Sequence, residues 1–139
     1  MRVRDAVESD ATAMAALADA PTDVMRNLVH DRTVRVAEPN GTPDPPIEGS
    51  DDESLLGFVS FDASPEAVHV TQIGGTSDAC RELLTEPIRF ATAESMAVEL
   101  LLAPDRERIE SIATSLGFER AGNGPRFGPE PTVRLRHTP

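Results

Sequence analysis

The stretch that decides the fold is residues 97–118, AVELLLAPDRERIESIATSLGF. Its first seven residues are mostly apolar and are followed by Pro104, which predicts a buried β-strand over 97–103. The next segment carries apolar residues on one face of a helix, at Ile109, Ile112, Ala113 and Leu116. Gly117 follows that face and predicts the end of the helix, so the stretch is a strand followed by an amphipathic helix.

Upstream of this unit, a strand and a second helix are separated by two glycines. Residues 66–73 (EAVHVTQI) alternate between polar and apolar side chains, which predicts a strand that ends at Gly74-Gly75. Residues 77–93 have helical periodicity, and Pro87 within them is expected to kink or split the helix at a cost of about 3 kcal/mol. The apolar face of this helix is Ala79, Leu83, Leu84, Ile88 and Ala91.

The first half of the chain supplies the remaining elements. Patterns and helix-end signals predict a strand over 2–7, helices over 10–20 and 21–31, and strands over 33–37 and 55–63. The last two strands are expected to be antiparallel neighbours. Between them, residues 38–54 hold four Pro, two Gly and six acids, which predicts a flexible acidic loop, either a solvated insertion or a functional lid.

The carboxyl-terminal part completes the fold. An extended piece starting at Phe118 and a strand over 132–137 give the order βααβββαβαββ. This order, in 139 residues, predicts one α+β domain over 1–139, long enough to bury a core of its own.

The charge of the chain is unusual. A formal net charge of −11 comes from 24 Asp and Glu against 13 basic residues, all of them Arg, and there is no Lys. A disordered acidic chain is disfavoured because 39% of the residues are hydrophobic and the segments are periodic. We therefore expect adaptation to a salt-rich cytoplasm, where repulsion between surface carboxylates is screened. The dispersed Arg residues argue against nucleic acid as a partner.

Cysteine and histidine usage excludes further classes of site. Cys80 is the only cysteine, so no disulfide or thiolate metal cluster forms, and its apolar surroundings predict a small buried side chain. His30 and His137 lack ligand spacing, and no metal site is predicted. No apolar run has the length of a membrane span, so a cytoplasmic protein with no membrane partner is expected.

The turn QIGGTS, residues 72–77, is open to two interpretations on local grounds. Gly74 and Gly75 either turn the chain or let backbone N–H groups approach a pyrophosphate at the positive end of the next helix.

In context, the chain resembles the GNAT acetyltransferase family. Gln72, Gly75 and Ser77 match the spacing of the family's phosphate turn, and residues 103–122 resemble its Pro-Asp, helix and Leu-Gly-Phe segment without a gap.

The resemblance implies a mostly antiparallel twisted sheet of six to seven strands with about four helices. The sheet would split between the strand ending at Gln72 and the strand 97–103, and acetyl-CoA would bind in the split as cosubstrate. An amine acceptor, a small molecule or a peptide, would enter from the opposite side. The resemblance implies the following residues as cofactor-binding: Val70, Gln72, Ile73, Gly74, Gly75, Thr76, Ser77, Asp78 and Arg106.

The sequence departs from the family pattern where chemistry is concerned. The family's Tyr, often the acid that protonates the departing thiolate, falls at Ala113, and the chain has no Tyr. Arg106 replaces the family's Asn and could reach a phosphate, or lie solvated at a helix start. Asp78 stands beside the expected pyrophosphate, where it would repel the phosphates or serve the start of the helix.

Two residues on the strand before the turn, Glu66 and His69, are candidate general bases. Histidine changes its charge near neutral pH and can relay a proton from an ammonium acceptor, although His69 could equally be a surface residue.

The function expected is therefore an acyl-CoA-dependent N-acyltransferase that transfers an acetyl group to a primary amine by direct attack. The alternative is a catalytically silent GNAT-like domain that binds CoA or a partner protein. A homodimer in which the last strand pairs across the interface is a further possibility.

Overall fold

The protein folds into a sheet with helices on both faces. The structure is a computed structural model that describes residues 1–39, 55–102, 106–126 and 131–138. Its elements follow the predicted order βααβββαβαββ. They are β1 (Arg2–Asp5), a 3-10 turn (Glu8–Asp10), α1 (Ala11–Ala18), α2 (Thr22–Asp31), β2 (Thr33–Glu38), β3 (Gly57–Ala63), β4 (Ala67–Gly75), α3 (Ser77–Ala93), β5 (Ala97–Leu102), α4 (Glu107–Ser115), β6 (Glu119–Arg126) and β7 (Pro131–His137). The predicted α+β class is confirmed.

The described strands form one seven-stranded sheet in the order β1-β2-β3-β4-β5-β7-β6. All neighbouring pairs are antiparallel except β4 and β5, which run parallel. The predicted antiparallel pairing of β2 with β3 is confirmed. β7 is paired on both sides within the chain, so the idea that this last strand pairs across a dimer is wrong. No helix within the described residues is long and apolar enough to cross a membrane.

The sheet separates two apolar clusters. The larger cluster lies under α3 and α4 and takes alternate residues of β3, β4, β5 and β7, because successive side chains of a strand point to opposite faces. The smaller cluster lies under α1 and α2, where Met14 and Met25 pack against Val34, Val36 and Phe58. The helices α1 and α2 therefore cover the β2–β3 part of one sheet face.

A buried ion-pair cluster ties β1 to the first helical turn and to β2. The Arg4 guanidinium donates to both carboxylate oxygens of Asp10 at 2.8 and 2.9 Å, and to Glu38 at 3.0 Å. Asp10 and Glu38 are only 8% and 7% exposed. The hydrogen bond to Asp10 raises the pKa of Arg4, against the opposing effect of burial. Glu38 is the last residue of β2, not the first residue of a loop. Residues 40–54 of the predicted loop lie outside the described residues.

Helix α3 continues through Pro87 to Ala93, so the proline does not split it. Pro87 is buried, and the tertiary packing of the helix offsets the lost backbone hydrogen bond. Cys80 is fully buried on the same helix, as predicted. The predicted strand end at residue 103 and the Pro104-Asp105 motif lie outside the described residues.

Candidate functional site

The sheet opens where β4 and β5 part. Their parallel pairing runs from Ala67–Ala97 to Val70–Leu100 and ends there. β4 nevertheless continues to Gly75, and β5 continues to Leu102 while paired with β7. The split that the sequence resemblance implied is therefore present, with its apex at Val70 and Leu100.

A β-bulge accounts for the divergence. Ser60 of β3 pairs with Gln72, but the next residue, Phe61, pairs with Val70, which leaves Thr71 as the extra residue of β4. The Thr71 hydroxyl is 2.5 Å from the hydroxyl of the fully buried Ser60 and donates to its carbonyl oxygen at 3.2 Å. An extra residue bends its strand, so the bulge turns β4 away from β5 just past the apex. Periodicity did not reveal this bulge.

A cavity of about 690 Å³ fills the split and extends to the glycine turn. Seven of the nine residues predicted to bind the cofactor line it, namely Val70, Gln72, Ile73, Gly74, Gly75, Thr76 and Arg106. Ser77 and Asp78 do not line it and begin α3 beside it. The lining also includes residues that the sequence did not indicate, namely Ala16, Leu17, Ala18, Phe58, Thr71, Leu100, Leu101, Leu102 and Arg108. One wall therefore comes from α1, which the sequence alone could not place.

Local backbone packing explains why a glycine is needed at position 75 in the turn. Gly75 has φ +127°, and a Cβ atom there would lie 2.3 Å from the Leu56 carbonyl oxygen. Because L-residues avoid this conformation and the space is occupied, only glycine fits. The turn is then closed by a hydrogen bond from the Thr76 N–H to the same Leu56 oxygen at 2.9 Å.

The start of α3 leaves backbone donors at the edge of the cavity. Thr76 caps the helix, its hydroxyl accepting from the Ala79 N–H at 3.2 Å. Within the described residues, the N–H groups of Ser77 and Asp78 have no acceptor, as is usual in the first turn of a helix. These two N–H groups, together with the helix dipole, form a place where an anion would be stabilised.

Two arginines from the start of α4 reach across to the same turn. Arg106 donates to the Ile73 carbonyl oxygen at 3.0 Å, so it bridges the split. Arg108 donates to the Gly75 carbonyl oxygen and to the Ser77 hydroxyl, each at 3.0 Å. Neither guanidinium forms an ion pair with any carboxylate in the part of the chain that the structure describes. Sequence reasoning missed Arg108, although its spacing of two residues from Arg106 was a usable signal.

Of the two candidate bases, His69 lies nearer the split. Its Nδ1 is 3.8 Å from Oε1 of Glu99, its partner in the β4–β5 register, and its Nε2 is 3.2 Å from the Ser64 hydroxyl. This pair comes immediately before the apex pair Val70–Leu100. Glu66 lies in the exposed turn between β3 and β4, at the other end of β4 from the glycines. Neither His69 nor Glu66 lines the cavity, and Glu99 was missed because its place follows from strand pairing.

Position 113, where the family has its Tyr, is fully buried in the larger apolar cluster. Ala113 does not line the cavity, and its carbonyl oxygen accepts from the N–H groups that end α4. This side chain therefore supplies no proton to the split.

Cys80 is a core residue. Burial raises the pKa of its thiol, and Arg108 and Arg106 lower it by a smaller amount. A fully buried, neutral thiol is a poor nucleophile. Among the described residues, no group of three or more His, Cys, Asp or Glu side chains could hold a metal ion.

Comparison with solved structures shows the class of fold. An N-acetyltransferase from Staphylococcus aureus Mu50 matches with a TM-score of 0.73 at 16% identity, covering 99% of this chain and 97% of that one. A ribosomal-protein-alanine N-acetyltransferase from Brucella melitensis matches with a TM-score of 0.73 at 17% identity, covering 99% of both chains. A GNAT superfamily phosphinothricin acetyltransferase from Sinorhizobium meliloti, solved with AcCoA, matches with a TM-score of 0.69 at 16% identity over 99% of this chain and 87% of that one.

The chain therefore has the fold of the GNAT N-acetyltransferases. Its sequence matches no protein-family model and no curated protein, so the likeness lies in the fold alone.

Proposed function

We propose that this protein is an acetyl-CoA-dependent N-acyltransferase that transfers an acetyl group directly to a primary amine. The observation that carries the proposal is the split between β4 and β5, which opens onto a cavity. The cavity ends at a helix N-terminus and at two arginines that form no ion pair with any carboxylate among the described residues. We also propose that residues 1–139 form one domain that works in a salt-rich cytoplasm.

The phosphate end of the cavity suits the pyrophosphate of acetyl-CoA. The N–H groups of Ser77 and Asp78 can donate to phosphate oxygens, and Arg106 and Arg108 supply positive charge within reach of the same turn. Asp78 is exposed, and its repulsion of a phosphate at about 6 Å would be roughly 3 kcal/mol at an effective dielectric near 20. The two arginines offset this repulsion, and molar salt would screen much of it.

The narrow end of the cavity suits the pantetheine arm and the thioester. Gln72 and Ile73 lie beyond the last β4–β5 register pair, Val70–Leu100, and line the cavity with Val70. A volume of about 690 Å³ lies in the usual range for small-molecule sites, about 300–1,000 Å³. In this arrangement the acetyl group lies near the apex at Val70 and Leu100.

We propose His69 as the proton acceptor at the apex. The ammonium of the acceptor loses a proton to His69, whose imidazolium Glu99 would stabilise from 3.8 Å. The amine nitrogen then attacks the thioester carbonyl carbon; the C–N bond forms and the C–S bond breaks. The departing thiolate takes its proton from water, because Ala113 offers none.

A second candidate function is a catalytically silent domain that binds CoA or a partner protein. The burial of Ala113 favours it, because general acid catalysis is worth about 10²–10⁴-fold in rate. Both candidates retain the phosphate site, so the test has to separate binding from turnover.

Thermal unfolding in molar KCl with increasing acetyl-CoA tests binding. Ligand that binds only the folded protein stabilises it by RT ln(1 + [L]/Kd), so a rising Tm is expected. Arg108→Ala should raise the Kd about tenfold or more, because it removes a charged donor. Arg89→Ala is the matched control, since Arg89 is exposed and pairs with Glu86 far along α3. An unchanged Tm at millimolar ligand would contradict the transferase and the CoA-binding domain, and would leave a domain that binds a partner protein.

Release of the CoA thiol in the presence of a panel of primary amines tests turnover. Amine-dependent release above the rate without protein is expected for the transferase. Stabilisation by acetyl-CoA without release for any amine would favour the silent domain.

A further inference from the structure

One face of β5 and β7 is polar and continuous with the cavity. Alternate residues of these strands, such as Leu100 and Leu135, are buried beneath α3 and α4. The residues between them point to the opposite face, where Leu101 is 42% exposed and lines the cavity. A molecule that enters the split from this face therefore passes Leu101 and its neighbours, Glu99 on β5 and Arg134 and Arg136 on β7.

These neighbours carry opposite charges in loose contact. Glu99 is 4.0 Å from Nε of Arg134, 3.9 Å from Nη1 of Arg136 and 3.8 Å from Nδ1 of His69. All three distances exceed the usual length of a hydrogen bond between charged groups. The Glu99 carboxylate thus lies beside two guanidinium groups and the His69 imidazole, and the guanidinium N–H groups retain donors for another acceptor.

Glu119 stands opposite Arg136 in the β6–β7 register, on the side away from the split. Within the described residues, neither Arg134 nor Arg136 forms an ion pair with any carboxylate other than Glu99. Arg134 is the nearer of the two to the cavity, because its register partner on β5 is Leu101.

We propose that Arg134 determines acceptor specificity by binding the carboxylate of an amino acid, whose ammonium lies between Glu99 and His69. The inference rests on the proposed transferase function and names the acceptor class for the same site. A guanidinium binds a carboxylate through two parallel hydrogen bonds, and Glu99 provides the complementary charge for the ammonium. The close spacing of the Glu99 and Arg134 side chains matches the short separation of the two charged groups in an α-amino acid.

This arrangement disfavours other amines. A polyamine would bring a second cation towards Arg134 and Arg136, where like charges repel. An uncharged amine would leave the guanidinium donors without a new partner. The exposed Leu101 offers contact for a side chain of moderate size.

The group transfer is balanced within this arrangement. The ammonium nitrogen loses two protons: His69 passes the first to solvent, and water takes up the second while giving a proton to the thiolate sulfur. A C–N bond forms, the C–S bond breaks, and the products are an N-acetyl amino acid and CoA thiol. The acceptor's carboxylate keeps its charge throughout, so Arg134 positions the acceptor and takes no part in proton transfer.

The test compares amino acids with their primary amides, which have the same side chain and amine but no carboxylate. Thiol release from acetyl-CoA is measured in molar KCl with both members of each pair and with a polyamine. The wild-type protein should show a kcat/KM about tenfold or more higher for the acid, because a charge-assisted contact is lost in the amide. Polyamines should be poorer acceptors than amino acids.

Arg134→Gln should reduce the ratio of acid to amide kcat/KM to about one, and Arg134→Lys should retain an intermediate ratio because the charge remains without the planar fork. Arg89→Gln is the control and should keep the wild-type ratio. Stabilisation by acetyl-CoA establishes that each variant is folded.

Equal turnover of acids and amides by the wild-type protein would overturn the inference and leave the transferase function standing. An unchanged ratio in Arg134→Gln would also overturn it. Absence of thiol release with every amine, with acetyl-CoA still bound, would contradict the transferase function and the inference with it.

Discussion

His69 and Glu99 face each other across the parallel pair of β4 and β5, with 3.8 Å between the imidazole Nδ1 and the carboxylate Oε1. They form the last register pair before the apex, Val70–Leu100, beyond which the two strands part. Because side chains alternate along a strand, this pair lies on the sheet face opposite the α3–α4 core. The proposed proton acceptor and its neighbouring carboxylate thus lie next to the apex of the split, where we propose that an amine reaches the thioester.

We expect His69→Gln to lower kcat by about 10²–10⁴-fold, the range for loss of a general base. Glu99→Gln should cause a smaller loss, since it removes the charge beside the imidazole and leaves the base. Both variants should keep the wild-type response of Tm to acetyl-CoA. His30→Gln is the control, because His30 is exposed and lies near Glu8 at the end of α2.

If Glu66→Gln lowered kcat by the amount expected for His69→Gln, and His69→Gln kept full activity, Glu66 would be the base. Glu66 lies in the turn before β4, so such a result would require an acceptor bound at the opposite end of that strand.

Gly75 is expected to be indispensable for folding of the turn. In Gly75→Ala the new methyl group would lie 2.3 Å from the Leu56 carbonyl oxygen. The alanine would also have to adopt a φ of +127°. Gly122→Ala is the matched control, since φ is +102° there but no atom lies within 4 Å of the added Cβ. We expect Gly122→Ala to cost about 1–2 kcal/mol in the free energy of unfolding, and Gly75→Ala to cost clearly more. Equal midpoints in urea for the two variants would contradict the steric argument.

The raised pKa of Cys80 is expected to make the fold less stable at alkaline pH. Burial raises the pKa of this thiol above its ordinary value of 9.0, so the folded state favours the neutral form. The contribution to stability is fully present below the ordinary pKa and is lost as the pH rises through it towards the raised pKa. The free energy of unfolding should therefore fall faster above pH 9.0 in the wild-type protein than in Cys80→Ala, by at most about 1.4 kcal/mol per pH unit.

A thiol reagent gives an independent measurement of the same burial. The native protein at neutral pH should react slowly, and the rate should rise with urea as unfolding exposes the sulfur. Reaction of the native protein at the rate of the unfolded chain would contradict the placement of Cys80.

We expect the free energy of unfolding to increase from dilute buffer to molar KCl. The formal net charge is −11, and the Debye length falls from about 10 Å at 0.1 M salt to about 3 Å at 1 M. Urea unfolding at a series of KCl concentrations measures the effect. The double variant Glu82→Gln, Glu94→Gln removes two exposed carboxylates, one on α3 and one immediately after it, and should show a smaller dependence on salt. Full stability in dilute buffer would contradict salt adaptation.

The local patterns were sufficient for the elements and their order. Alternation over 66–73 and apolar content over 97–103 predicted β4 and β5, because strand periodicity is a local property of side chains. The glycine turn was placed for the same reason. Its structural interpretation is supported, because Gly75 is required by the Leu56 carbonyl. Phosphate binding by the turn stays a prediction, and the turn borders the cavity.

The sequence by itself determined the α+β fold, the buried Cys80 and the position of the turn that begins α3. Tertiary structure alone decided which distant residues meet there. The contacts of Arg108 with Gly75, of Glu99 with His69 and of Arg134 with Glu99 depend on strand order and on pairing between segments far apart in the chain. Local periodicity carries no information about such pairing, so the chemistry at the split could be read only once β5 was seen between β4 and β7.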